Sequence, residues 1–243
     1  MNKSNQHMNL LVDLHTHTVA SGHAYCTVNE MLEKAKKLGL EAIAITDHGP
    51  GLPDGPHIFH FSNQERFKSI PGNCKVLSGV EEDLAGPNGE VYLPENVLNS
   101  LDVVLIGLHP YPDGWAYTNS KKTVLKSLLT AMENPLIKGV THPVSNWFSF
   151  SADEMKEIII NAKDTNTAVE LNLSKIIGLE KKLFEFLDLT AEFNAPIMIN
   201  SDAHAVHELG DFTNLKKFVH KIIPENVVNK NYKTVKSFFG INR

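Results

Sequence analysis

Along the chain, short apolar runs rich in β-branched residues alternate with stretches in which apolar positions recur every three or four residues. The short runs predict strands over residues 10–14, 42–46, 75–79, 103–107, 138–141, 168–171 and 196–200. The stretches between them carry helix punctuation. Thr27-Val28-Asn29-Glu30 is a capping box, followed by Met31, Leu32, Ala35 and Leu38 at helical spacing and by Gly39 as a stop. Ser62-Asn63-Gln64-Glu65 and Ser151-Ala152-Asp153-Glu154 repeat the box, and further helices are predicted over 120–132, 180–193 and 232–239. Regular succession of strand and helix requires a crossover at each step, and therefore a parallel sheet.

The polar residues decide between an open sheet and a barrel. Six of the seven runs end in His, Asp or Glu: His15 and His17, then Asp47-His48, Glu81, His109, His142, and Asp202-Ala203-His204. Such groups meet in space if the sheet closes, because the C-terminal rim of a parallel barrel draws its site from several strands. A single histidine at a strand end is as readily a capping or hydrogen-bonding residue as a ligand. Six such ends together point to metal, and imidazole with carboxylate suits zinc, manganese or iron. The fold expected is α/β, a distorted TIM-like barrel of seven strand–helix units.

Composition adds exclusions. The 243 residues are 42% hydrophobic and carry no repeat, low-complexity tract or charge block, which predicts a flexible N-terminus over 1–9 and one barrel domain over 10–243. Cys26 and Cys74 match no zinc or redox spacing and read as inert thiols in a reducing compartment. With no signal-peptide core and no window of membrane-spanning length, the reading is cytoplasmic, with no membrane partner. A net charge of −5 without a Lys/Arg stripe weighs against nucleic acid, so an anionic substrate needs its positive charge from elsewhere. Twelve histidines make metal the obvious source.

Five ordered segments resemble the motifs of the PHP (polymerase and histidinol phosphatase) family. They are Asp13-Leu14-His15-Thr16-His17-Thr18 with Ser21-Gly22-His23-Ala24-Tyr25 behind it, Thr46-Asp47-His48-Gly49, Gly79-Val80-Glu81, Thr141-His142-Pro143, and Ser201-Asp202-Ala203-His204. His23-Ala24-Tyr25 and the segment from Pro56-His57 to His60-Phe61 are similar to the YcdX-like phosphatase branch. The resemblance implies a seven-stranded distorted barrel with three divalent ions, zinc first and manganese or iron as alternatives. It implies one ion held by His15, His17, Glu81 and Asp202, a second by Glu81, His109 and His142, and a third by His23, His48 and His204. The implied activity is hydrolysis of small phosphomonoesters by attack of metal-bound hydroxide, with Glu81, His48 and Asp202 acting through the ions and no protein nucleophile. Peripheral departures such as Gly22 and Cys26 bear on substrate preference.

Supporting roles are less determined. Asp13 is a candidate to orient a ligand ring on its own strand and Asp47 to orient His48, each with a plain turn or strand-start role as the alternative. His57, His60 and Asn172 are candidate substrate contacts, the first two because a Pro/Gly-rich loop over 49–56 is placed to cover the pocket. The partner expected is a small phosphorylated molecule, and oligomeric state stays open. Two other enzyme readings stand beside the phosphatase: a nuclease or phosphodiesterase, disfavoured by the acidic balance, and an amidohydrolase, whose site often uses a lysine that the run Ile106-Gly107-Leu108-His109 lacks. A non-enzymatic metal-binding module is the remaining alternative.

Overall fold

The computed structural model describes residues 8–174 and 176–242; most of the segment expected to be flexible, residues 1–7, lies outside them. Seven parallel strands follow one another in sequence order: β1 (Val12–Asp13), β2 (Ala42–Ile45), β3 (Lys75–Asp83), β4 (Val103–Gly107), β5 (Gly139–Val140), β6 (Ala168–Asn172) and β7 (Ile197–Asn200). Helices α1 (Val28–Leu38), α2 (Ile58–Ser62), α3 (Glu95–Leu98), α4 (Trp115–Thr118), α5 (Lys121–Met132), α6 (Ala152–Thr165), α7 (Glu180–Phe193) and α8 (Tyr232–Phe239) connect and flank them. The expected strands are all present.

The capping signals mostly act as the sequence suggests. In α1, the Thr27 hydroxyl accepts from Glu30 N–H at 3.3 Å while Glu30 Oε2 accepts from Thr27 N–H at 2.8 Å, and Gly39 closes the helix at φ 73°. A cap of this kind is worth about 0.5–2 kcal/mol. It holds Met31, Leu32 and Ala35 against Ile43 and Ile45 of β2. Ser151 and Glu154 make the same box at α6. The third box fails. Ser62 is the last residue of α2, its hydroxyl donates back to Ile58 O, and a 3-10 turn over Gln64–Ser69 follows. The competing demand is on Gln64, which is buried and whose side-chain oxygen accepts from Gly79 N–H at 2.7 Å.

That bond marks a change of partner within β3. Residues up to Ser78 pair with β2, and residues from Gly79 onward pair with β4. A Cβ at Gly79 would lie 2.8 Å from both Thr46 Cγ2 and Val103 O, so this position requires glycine for neighbouring strands to approach. The longer β3 carries Glu81 and Asp83 into the barrel mouth as strand residues, where the sequence pattern ends the strand at 79.

Inside the barrel the lower layer is apolar, with Ala42, Ala44, Leu77, Val103, Leu105, Ala168 and Met198 packed over α8 residues such as Val235. Two residues further along the same faces, the pattern becomes polar: Ala168 is followed by Glu170 and Asn172, Met198 by Asn200. The core thus serves as floor to a polar upper layer.

The barrel is nearly closed. Strands β7 and β1 share no ladder of their own, and two features fill the seam. Above, His17 N–H donates to Ala203 O at 2.8 Å. Below, residues 227–230 lie between the strands: Val228 N–H bonds Ile197 O and Leu11 N–H bonds Lys230 O. The fully buried Asn229 accepts from Ile199 N–H and donates to Val12 O, Ile199 O and Asn200 Oδ1.

Candidate metal centre

All nine residues expected as ligands meet at the mouth of the barrel. Glu81 is their hub: its Oε2 lies 3.2 Å from His15 Nε2, 3.5 Å from His17 Nε2, 3.1 Å from His48 Nδ1 and 3.4 Å from His109 Nε2, and its Oε1 lies 2.9 Å from His142 Nε2. Asp202 Oδ1 faces His15 and His17 at 3.5 and 3.3 Å. His204 stacks on His17 with ring centroids 4.3 Å apart, and its Nε2 is 3.0 Å from His23 Nε2. Four groupings bring donor atoms within 4.8 Å of one another: His15, His17 and Asp202; His15, Glu81 and His142; His48, Glu81 and His109; and His17, His48 and His204. His48 therefore stands between the hub and His204, and His23 joins through His204.

Metal fits this arrangement. His15 Nε2, His17 Nε2, His48 Nδ1 and Glu81 Oε2 are buried and lack a hydrogen bond of acceptable geometry, although leaving a buried polar atom unmade costs about 1–3 kcal/mol. These atoms point at one another. Atoms that can each donate a lone pair, gathered without partners around a common point, are what a divalent cation satisfies.

Outward-facing ring nitrogens are anchored. His15 Nδ1 bonds Glu170 Oε1 at 2.9 Å, and His109 Nδ1 lies 3.0 Å from both oxygens of Asp83. His17 Nδ1 meets Ser21 Oγ, which donates to Asp47, and His204 Nδ1 donates to Asp202 O. Fixing the far nitrogen selects the tautomer and turns the near nitrogen inward. His142 and Asp202 adopt φ of 28° and 52°, a region costing about 1–3 kcal/mol for residues other than glycine. Glu170 supports the first through His142 N–H at 2.8 Å, and Asn172 supports the second through Nδ2 to Asp202 Oδ2 at 3.1 Å.

Burial and the charges of the cluster itself set its electrostatics. Burial pushes Glu81 up, but His15, His109 and His142 around it win and hold it well below the usual carboxylate range. Asp202 is held low in the same way, chiefly by His15 and His17. Burial lowers His17, His48 and His204, keeping these rings neutral. For His15, burial also lowers, yet Glu81, Glu170 and Asp202 raise it further.

The supporting roles differ from expectation. Asp13 does not orient a ligand ring: it accepts from Ser201 Oγ, Ser201 N–H and Gly210 N–H, and burial raises its pKa to about 6. Asp47 does not reach the His48 ring. It accepts from Thr18, Ser21 and His60 instead, and its pKa falls to about 2. Glu170 and Asp83 do the work expected of those two. Neither ends a predicted apolar run, which is why strand-end reasoning passed them by. Glu170 was still signalled, as a carboxylate inside Ala168-Val169-Glu170-Leu171, two residues before Asn172 on the same strand face.

Above the centre lies a cavity of about 230 Å³, lined by expected ligand residues together with Leu52, Asp54, Pro110, Tyr111 and Trp147. Asn172 spends its amide on Glu170 and Asp202 and is not in this lining. His57 caps α2 by accepting from Phe59 N–H, and His60 is tied to Asp47 at 3.0 Å; neither is in the cavity lining. The 49–61 segment does reach the mouth, through Leu52 and Asp54, and contains α2 where a plain loop was expected.

Comparison with known proteins agrees with the fold. A probable phosphatase of Syntrophotalea carbinolica is 33% identical over 240 residues, covering 95% of this chain and 96% of that protein. The histidinol phosphate phosphatase of Lactococcus lactis subsp. lactis Il1403, solved with Zn, L-histidinol and phosphate, superposes with a TM-score of 0.57 at 17% identity, covering 87% of this chain and 92% of that one. A chain of an archaeal ribonuclease P complex with mature tRNA superposes at 0.60 and 15% identity, over 95% of this chain and 93% of that one. At these identities the two structures speak for the fold. Residues 13–234 match the PHP domain, and the chain belongs to that family.

Proposed function

We propose that this chain is a metal-dependent phosphatase that hydrolyses small phosphomonoesters at a three-ion centre. The observation carrying the proposal is the convergence of four partnerless buried donor atoms beneath a cavity that contains no lysine or arginine. A phosphoryl group brought there would meet Asp54 and Asp202 with no lysine or arginine to offset them, and bound ions would supply the positive charge that attracts it. His15, His17, Glu81 and Asp202 would hold one ion, Glu81, His109 and His142 a second, and His23, His48 and His204 a third. When bound, such ions supply charge for phosphoryl oxygens and lower the pKa of water enough to make it a nucleophile near neutral pH. The protein's part is to keep those rings aimed, through Glu170, Asp83 and the Ser21–Asp47 pair. Zinc is the first choice of metal for a nitrogen-rich set, with manganese or iron as alternatives.

The size of the cavity supports a small substrate. At about 230 Å³ it falls below the roughly 300–1,000 Å³ usual for drug-sized ligands, enough for a phosphate on a compact alcohol. Leu52, Pro110, Tyr111 and Trp147 offer the alcohol an apolar and aromatic wall. The probable phosphatase of S. carbinolica, similar over nearly its whole length, supports the same reaction class.

The test is release of inorganic phosphate from a broad monoester panel, histidinol phosphate included, by metal-loaded protein and by Glu81→Gln. Turnover of at least one monoester, lost in the variant while its circular dichroism is unchanged, is the expected result. No phosphate from any member of the panel overturns the proposal.

A further inference from the structure

Three ligand rings meet a carboxylate through the nitrogen facing away from the centre, and one pair differs from the others. Glu170 and Asp83 belong to barrel strands and are buried. Asp54, which meets His23 Nδ1, belongs to the surface segment after β2; its side chain is 37% exposed and that of His23 is 51% exposed. Neither of the other two carboxylate-held rings depends on a loop for its orientation.

The tautomers follow from the partners. His23 Nδ1 faces a carboxylate, and His204 Nδ1 faces the carbonyl oxygen of Asp202; neither oxygen can donate, so both Nδ1 atoms carry the hydrogen. In the neutral rings, both Nε2 atoms then present lone pairs, and they lie 3.0 Å apart. Two facing lone pairs are satisfied by a shared cation, which is independent support for an ion between these rings.

The loop is fastened at the mouth as well. Tyr111 Oη donates to Gly51 O at 2.6 Å, and Leu52 and Asp54 line the cavity. On the opposite side Gly22, at φ 66°, makes the approach possible: a Cβ there would stand 2.5 Å from Asp54 Cβ.

We propose that Asp54 is a positioning residue through which the 49–57 loop and the ion of His23, His48 and His204 hold one another in place, so that this ion is the first of three to leave and the loop loosens with it. The inference rests on the three-ion reading. A ring held by one half-exposed carboxylate on a loop loses its orientation at less cost than rings clamped inside the barrel. Supporting residues of this kind typically change metal affinity about 10–100-fold.

The test is stepwise removal of metal from the loaded protein with a graded chelator, counting ions per chain by elemental analysis and following hydrogen exchange in residues 49–57. The wild type should fall from three ions to two before losing more, with faster exchange in the loop at that same step. Asp54→Ala should lose its third ion at a chelator concentration about 10–100-fold lower, with the other two unchanged. His23→Ala should hold two ions from the start and show the fast-exchanging loop throughout. If the wild type never binds more than two ions, the three-ion reading itself falls. If it binds three but Asp54→Ala releases them as the wild type does, or the loop exchanges independently of the step, only the role of Asp54 and its loop is overturned.

Discussion

His15 and Glu170 form a fully buried pair, Nδ1 to Oε1 at 2.9 Å, and the opposite nitrogen of the same ring faces Glu81 at 3.2 Å. The imidazole is thus clamped between a carboxylate that sets its tautomer and the centre it serves. Glu170 does more than this, since it also accepts from His142 N–H, Asn172 Nδ2 and Asn200 Nδ2. A single acceptor-only side chain holds four donors at the ends of four strands, β1, β5, β6 and β7.

Glu170→Gln tests that role. The amide has the same shape but only one acceptor oxygen, and its NH₂ is thrust among groups that themselves donate. We expect apparent metal affinity to fall about 10–100-fold in a competitive chelator titration, with the far-ultraviolet circular dichroism retained. Unchanged affinity would show that Glu170 is a packing residue alone.

Metal should stabilise the fold measurably, because the centre joins the ends of β1, β3, β7 and the turns after β2, β4 and β5. A ligand that binds only the folded state at 1,000 times its Kd adds about 4 kcal/mol. For a chain of this length that corresponds to a rise in Tm of roughly 8–16 °C over the metal-free protein. Differential scanning fluorimetry with and without chelator reads it directly, and equal Tm values would argue against an ion bridging these strands.

Much of the fold and the centre was legible in the sequence, for a definable reason. Strand, helix and cap signals are local, and α1, α5, α6, α7 and α8 are framed by residues within four positions of their ends. Eight of the nine expected ligand positions were legible because they follow apolar runs, so position alone puts them on the rim, and His23 through the resemblance of its motif. What was not legible depends on contacts distant in sequence. Ser62 carries a capping box, yet Gln64 is claimed by Gly79 across the barrel wall. Asp13 sits two residues from His15, yet its charge goes to Ser201 and Gly210, and the ring takes a carboxylate 155 positions away.

The two thiols offer a check on burial. Cys26 and Cys74 are free and buried, and burial pushes each pKa up to about 11. Near pH 7.5 the thiolate fraction is then only about three in ten thousand, against roughly a tenth for an ordinary thiol. Native protein should give almost no reaction with a thiol reagent over minutes, and two equivalents once denatured. Rapid labelling of one thiol in the native state would show that its surroundings open.

Asn229 carries the seam between β7 and β1, and its removal should be felt across the whole barrel. Its side chain satisfies Ile199 N–H, Ile199 O and Val12 O, backbone groups that a closed ladder would pair and that no water can reach at this depth. Each buried group left unmade costs about 1–3 kcal/mol, with partial relaxation reducing the sum. For Asn229→Ala we expect a loss of about 2–4 kcal/mol by denaturant unfolding. Asn229→Asp keeps the shape and an acceptor for Ile199 N–H, but it turns a donor into an acceptor against Val12 O, Ile199 O and Asn200 Oδ1. It should therefore destabilise at least as much, although it removes no volume. If alanine is costly and aspartate is not, the residue acts by filling space; if both are costly, its hydrogen bonds stand in for the ladder that β7 and β1 do not form.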